Sequence, residues 1–326
     1  VHHVPEAYLH FVETNAAFGI RLAALGGENV RLAVGPLQYA LTKTFFDAQR
    51  LTRRMDEMGV ERAVLSLATP FVNYDVAPEL ACAAAELYND EIAFLHAASP
   101  HRFEGWAYLP VQQPEAAAKE LRRAVQDLGL VGGYLPSNVK GRYLDSAELA
   151  PIFAAASELD VPLFLHPSNP PARERMADYE LAVVAGYLFD TTLNIFNMIF
   201  GGLLDRYPAL RLCCAHLGGY ALMLRARMQR EIDTNTALAA HLNKPLDEYL
   251  RSIYFDTVCF EPAYLRSVVE AGAADRSRLL LGSDTPFPLG EPDPVGFVGR
   301  SFGETAPELA DNLLFRNAKA FLKINA

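Results

Sequence analysis

The sequence predicts a (β/α)8 barrel, and three observations predict it. Short apolar runs alternate along the chain with segments of helical period. The runs are apolar on both faces, as parallel strands covered by helices on both sides are. No GxGxxG or GxxxxGKS/T turn occurs, although the rival doubly wound sheet would normally carry one after its first strand.

The elements follow in order. "VHHVP" (1–5) reads as the C-terminal end of a first strand that is truncated or lies upstream of Val1. Seven strands of this kind would otherwise leave an open edge. Residues 17–44 lack clear periodicity and read as an insertion. The seven visible strands are "RAVLSLA" (62–68), "GWAYL" (105–109), "VGGYL" (131–135), "VPLFLH" (161–166), "LRLCCAH" (210–216), "IYFDTV" (253–258) and "RLLLGSD" (278–284). "PEAAAKELRRAVQDLG" (114–129) and "SAELAPIFAAASELD" (146–160) carry the helical period. Ser146 is an N-cap type with Glu148 close behind. "PSNPPARERMADYEL" (167–181) reads as a long loop after a strand. Trp106, the only tryptophan, falls on a strand, where a core position is expected.

A length of 326 residues, 51% of them hydrophobic, suits one large barrel domain over 1–326. The net charge of -10 argues against a basic face for nucleic acid or anionic lipid. Apolar runs are too short for a membrane span, which needs about 18 residues. No signal peptide is visible. Cys82, Cys213, Cys214 and Cys259 form no CxxC pair. They read as buried reduced thiols in a cytoplasmic protein.

Barrel enzymes carry their catalytic groups at the C-terminal ends of strands. His166, His216 and Asp284 end three of the runs, and His2 and His3 open the chain. Imidazole and carboxylate around an open position is a donor set for a catalytic divalent metal. One such histidine alone is more often a packed or capping residue. Three strand ends together are harder to explain that way. His10, His96, His101 and His241 lie in helical or loop patterns and read as surface or partly buried residues.

"LFLHP", "RLCCAHLGG", "LLLGSDTPFPLGE" and "RRMDEMGV" resemble the amidohydrolase superfamily. More narrowly, they resemble the branch of 2-amino-3-carboxymuconate-6-semialdehyde decarboxylase and related aromatic acid decarboxylases. The resemblance runs along nearly the whole chain, through "RFEGWAYLPVQQPEAAAKELRRAV" and "FGGLLDRYPALRL". It implies an amidohydrolase-type TIM barrel holding one divalent metal, zinc with manganese as the alternative. His2 matches the second histidine of the family's opening H-x-H, and the first, His or Glu, would fall before Val1. His166 matches the strand-five ligand. Asp284 matches the strand-eight ligand, which also bonds the metal-bound water. His216 matches the strand-six general base or acid; a fourth ligand is the other reading.

The resemblance also assigns substrate contacts. Arg53 matches the arginine that holds the substrate carboxylate. Arg227 matches one that a homodimer inserts into its neighbour's site. Phe287 matches an aromatic wall of the pocket. Glu180 stands where the muconate semialdehyde enzyme has a tryptophan, so a different substrate is expected. The activity implied is non-oxidative decarboxylation of an unsaturated or aromatic carboxylic acid, a small-molecule substrate. The alternative is a hydrolase of an amide, ester or lactone, or a hydratase, on the same site. A binding protein with a degenerate site is a third reading.

Overall fold

A computed structural model describes residues 1–34, 37–303 and 305–324; positions 35 and 36 of the expected insertion, and 304, 325 and 326, lie outside that description. The strands are β1 Ile20–Gly26, β2 Asn29–Val34, β3 Leu37–Thr42, β4 Ala63–Leu65, β5 Phe103–Tyr108, β6 Gly132–Pro136, β7 Leu163–His166, β8 Leu212–Cys214, β9 Tyr254–Asp256 and β10 Leu279–Leu280. Strands β4 to β10 form one parallel sheet in chain order. All seven lie inside or overlap the predicted runs. Every residue of β5 and β6 is buried, which explains why neither alternates polar with apolar. Gly132 leaves no room for a side chain: a Cβ there would stand 2.1 Å from the Pro162 carbonyl oxygen. That close approach seats β6 against β7. Trp106 is buried and stacks on Phe164 at 5.6 Å, a core residue as expected.

The eighth position of the curled sheet is filled only at its C-terminal mouth. Ser66 N–H donates to the Val1 carbonyl at 2.9 Å, and His3 N–H to the Ser66 carbonyl at 3.0 Å. On the other side, His2 N–H donates to the Thr285 carbonyl at 2.7 Å. Residues 1–3 thus bridge the chain just past β4 to the chain just past β10.

Helices cover the sheet's outer face. The helix Pro114–Gln126 starts on a proline and buries Ala117, Ala118, Leu121 and Ala124, an i, i+3/i+4 face. The helix Ala150–Glu158 is entered through a 3-10 turn, Ala147–Leu149. Ser146 therefore makes no side-chain cap; its backbone carbonyl accepts the Leu149 N–H at 3.0 Å instead.

The described residues of the insertion form a sheet of their own. β1, β2 and β3 form an antiparallel sheet with Ile20 opposite Val34 and Asn29 opposite Thr42. Only Ile20, Leu32 and Leu41 of its residues are buried. A sheet so largely exposed needs little apolar alternation, so its period does not show in the sequence.

Two expectations change. The continuous helical segment 182–200 is long and apolar enough to cross a membrane, by length and composition. Half of its apolar stretch is buried within the protein, and its buried side chains include Asp190, Thr191, Thr192 and Asn194. Its apolar residues are interrupted by these polar ones, so no uninterrupted run marks it. Among the cysteines, all free, only Cys213 and Cys214 on β8 are buried; Cys82 and Cys259 are half-buried because they lie on a helix and a loop rather than a central strand.

Candidate metal centre

Consecutive residues of an extended chain point to opposite sides. Pinned between Ser66 and Thr285, residue 2 sends its imidazole into the barrel mouth and residue 3 sends its own outward towards Phe45 and Asp47. The adjacent pair therefore splits, and only His2 joins the cluster. β7 delivers His166 at its last residue, and the loop after β10 delivers Asp284. Donor atoms of His2, His166 and Asp284 all lie within 4.8 Å of one another. His2 Nε2 stands 2.9 Å, and His166 Nε2 3.4 Å, from Asp284 Oδ1.

The hydrogen bonds behind the ring fix the chemistry of His166. Its Nδ1 lies 3.1 Å from the Pro167 carbonyl, which can only accept, so Nδ1 carries the proton. The Thr69 hydroxyl donates to the same carbonyl at 3.2 Å and accepts from Nδ1 at 3.0 Å. Nε2 is left with a bare lone pair facing a carboxylate. Burial holds the His166 ring neutral, its pKa pushed down to about 4 against the pull of Asp284. His2 is likewise lowered by burial, and its Nδ1 lies 3.1 Å from Ser66 Oγ, which itself donates to the Val1 carbonyl. Burial would raise the Asp284 carboxyl, but the imidazoles of His166, His2 and His216 gathered around it hold it well below the usual carboxylate range. Lone pairs and a negative charge converging on one point are stable only around a cation. The donor set fits a divalent metal ion.

His216 stands on the other oxygen. Its Nε2 is 3.6 Å from Asp284 Oδ2, and its ring centroid is 4.9 Å from that of His166. Its Nδ1 is buried with no partner. Burial would lower its pKa, yet the hydrogen bond and charge of Asp284, then the charge of Asp256, leave it raised. His216 has φ 57 and Leu217 φ 51, a left-handed kink held from below: Asp256 accepts the Leu217 and Val258 N–H groups, both at 3.0 Å. Gly219, at φ 65, passes so close to the preceding helix, Tyr187–Phe200, that a Cβ would meet the Leu188 carbonyl at 2.2 Å. This accounts for the glycine of "HLGG".

Of the other predicted residues, Phe287 is brought in. Its ring lies 5.1 Å from His2 and 4.9 Å from Phe45. Arg53 is not. The helix Ala48–Glu57 buries Leu51 and Met55, and Arg53, halfway between them, is on the opposite, exposed face. Glu180 is exposed, and its carbonyl accepts the Val183 and Val184 N–H groups at the start of the next helical segment. Arg227 is exposed on the helix Ala221–Thr234 and reaches no residue of the cluster. Ser66, Thr69 and Asp256 went unread in the sequence. Each lies just past or at a strand's C-terminal end, the same positional signal that marked His166.

Comparison with known proteins identifies the family. The Amidohydrolase family profile matches residues 40–324. The chain is 35% identical to 2-amino-3-carboxymuconate-6-semialdehyde decarboxylase of Dictyostelium discoideum, over 84% of this chain and 76% of that one. It is 33% identical to gamma-resorcylate decarboxylase of a Polaromonas species, over 85% and 87%. Among solved structures, a Polaromonas dihydroxybenzoic acid decarboxylase with bound manganese and 2-nitroresorcinol superposes with a TM-score of 0.77 at 28% identity, covering 87% of this chain and 88% of that one. The chain belongs to the amidohydrolase family, among its aromatic acid and muconate semialdehyde decarboxylases.

Proposed function

We propose that this protein is a metal-dependent, non-oxidative decarboxylase of an aromatic or muconate-type carboxylic acid. The observation that carries the reading is the trio His2, His166 and Asp284 with His216 on Asp284's second oxygen, in a chain whose relatives are decarboxylases. Two imidazoles and one carboxylate suit zinc; manganese, present in the Polaromonas structure, is the competitor, and metal analysis of the purified chain decides. When bound, the ion supplies Lewis acidity towards oxygens of the substrate.

The protein's own groups do the rest. Phe287, half-buried beside His2 and backed by the buried Phe45, offers an aromatic surface on which a planar acid packs. His216, protonated more readily than a free imidazole, holds a proton beside Asp284. It delivers that proton to the carbon bearing the carboxylate. A π electron pair of the substrate takes up the proton, the bond from that carbon to the carboxylate then breaks, its electron pair restores the π bond, and carbon dioxide leaves. His216 recovers a proton from solvent. Ser66 and Thr69 keep the His2 and His166 rings aimed throughout.

A homodimer is part of the proposal. Met223 and Arg227 lie one turn apart on an exposed helix face. Tyr179, Leu181, Val184 and Phe189 are also exposed, large and apolar, a composition typical of an interface. Through such an interface Arg227 would reach the neighbour's site, where a guanidinium fork suits a carboxylate. The test is carbon dioxide release from a panel of hydroxybenzoates and muconate-type acids by metal-loaded protein. Hydrolysis of lactones or amides with no carbon dioxide from any acid would replace this reading with the hydrolase.

A further inference from the structure

A second feature lies one side chain away from the metal trio. A cavity of about 220 Å³ opens between the insertion sheet and the barrel mouth, lined by Tyr39 of β3, by Thr69, and by Ser168, Arg173 and Tyr187. Its lining includes the same Thr69 whose hydroxyl holds His166. Arg173 comes from the short turn Arg173–Met176 in the long loop after β7. It donates to the Tyr39 hydroxyl at 3.1 Å and to the Tyr187 hydroxyl at 3.5 Å. Tyr187 is a neutral dipole: burial pushes its hydroxyl up to about 12. Among the described residues, no carboxylate lies within ion-pairing distance of Arg173. Asp75, the acid in the lining, is paired instead with Lys140 at 3.3 Å.

A half-buried guanidinium gripped by two phenols, without a counter-charge, is a preorganised anion receptor. Its position is fixed by neighbours that do not neutralise it, and it lines the cavity with N–H donors those neighbours leave free. A carboxylate matches its fork. Tyr187, Pro70, Val72, Leu37 and Tyr39 supply apolar and aromatic surface around it, which suits the body of an unsaturated or aromatic acid rather than a bare inorganic anion.

We propose that Arg173, held between Tyr39 and Tyr187, binds the carboxylate of a small organic acid in this cavity, and that the insertion sheet exists in part to complete the receptor. The proposal rests on the reading of the chain as an enzyme of carboxylic acids. The carboxylate belongs either to the substrate itself or to a second acid bound beside it.

The experiment measures binding, so it does not depend on decarboxylation being observed. Metal-loaded full chain is titrated by calorimetry with 2,6-dihydroxybenzoate and with isophthalate, as wild type, Arg173→Gln, Arg173→Lys and Tyr39→Phe. Arg173→Gln should weaken binding of at least one acid by roughly 10- to 100-fold, the loss of a charge-assisted bond. Arg173→Lys, which keeps charge but not the fork, should fall between. Tyr39→Phe should cost a smaller factor, and metal content should not change. The same Arg173 dependence in chelator-treated protein identifies a separate acid; dependence only in metal-loaded protein identifies the substrate's own group. Affinities equal within twofold in wild type and both Arg173 variants, for both acids, overturn the proposal. An Arg173-dependent acid that releases no carbon dioxide would instead uphold the receptor and count against the decarboxylase.

Discussion

Replacing His216 tests the division of labour in the mouth. His216 occupies a left-handed backbone, φ 57, where alanine costs roughly 1–2 kcal/mol of strain and asparagine much less. His216→Asn is therefore the cleaner variant. In the native protein the His216 Nε2 lies 3.6 Å from Asp284 Oδ2, while the three proposed ligands converge through Asp284 Oδ1 with His2 at 2.9 Å and His166 at 3.4 Å. Removing the imidazole leaves that trio intact, so metal content should match wild type. What disappears is the proton donor. Positioned acid–base catalysis contributes roughly 10²- to 10⁴-fold, about 3–5 kcal/mol of transition-state stabilisation. Single-turnover carbon dioxide release should slow by that factor with substrate affinity nearly unchanged. Elemental analysis of the same sample supplies the control. Metal lost in step with activity would make His216 a ligand, and a slowdown below about tenfold would remove it from proton transfer.

Thr69→Val keeps the shape but removes the hydroxyl that accepts the His166 Nδ1 proton, leaving only the Pro167 carbonyl at 3.1 Å. Metal affinity in chelator competition should fall by roughly tenfold; an unchanged affinity would mean that the hydroxyl does not orient the ligand. His3 gives a pH signature in fold stability, because burial holds its pKa at about 4. Above the ordinary imidazole pKa, near 6.5, both folded and unfolded forms are neutral and it contributes nothing. As pH falls from there to about 4 the unfolded chain takes up a proton that the folded chain refuses, so stability drops by up to about 3 kcal/mol. Urea titrations of His3→Gln should lack that component, and parallel pH curves for the two proteins would disprove it. Arg227→Ala, exposed and unbonded within its own chain, should leave the melting temperature unchanged and lower kcat/KM at least tenfold, an arginine–carboxylate contact. Mixing it with His216→Asn should restore part of the activity in mixed dimers; a fully active monomer would end the shared-site idea.

The sequence by itself determined whatever depends on local pattern. Seven strands were visible because a strand buried on both faces must be apolar throughout. His166, His216 and Asp284 stood out because polar groups that end such runs lie at the barrel mouth. The insertion sheet was invisible, since its exposed faces put little constraint on residue type. Only the tertiary structure decided which side of the chain each candidate occupies. His2 enters the site and His3 leaves it because Ser66 and Thr285, remote in sequence, pin the backbone between them. Arg53 faces solvent because Leu51 and Met55 claim the buried side of its helix. Thr69 and Asp256 act on the site through hydrogen bonds to residues 97 and 39 positions away. Arg173 and Tyr39 stand 134 residues apart, and their meeting depends on how the insertion sheet lies across the barrel mouth, a relation that no local run of side chains encodes.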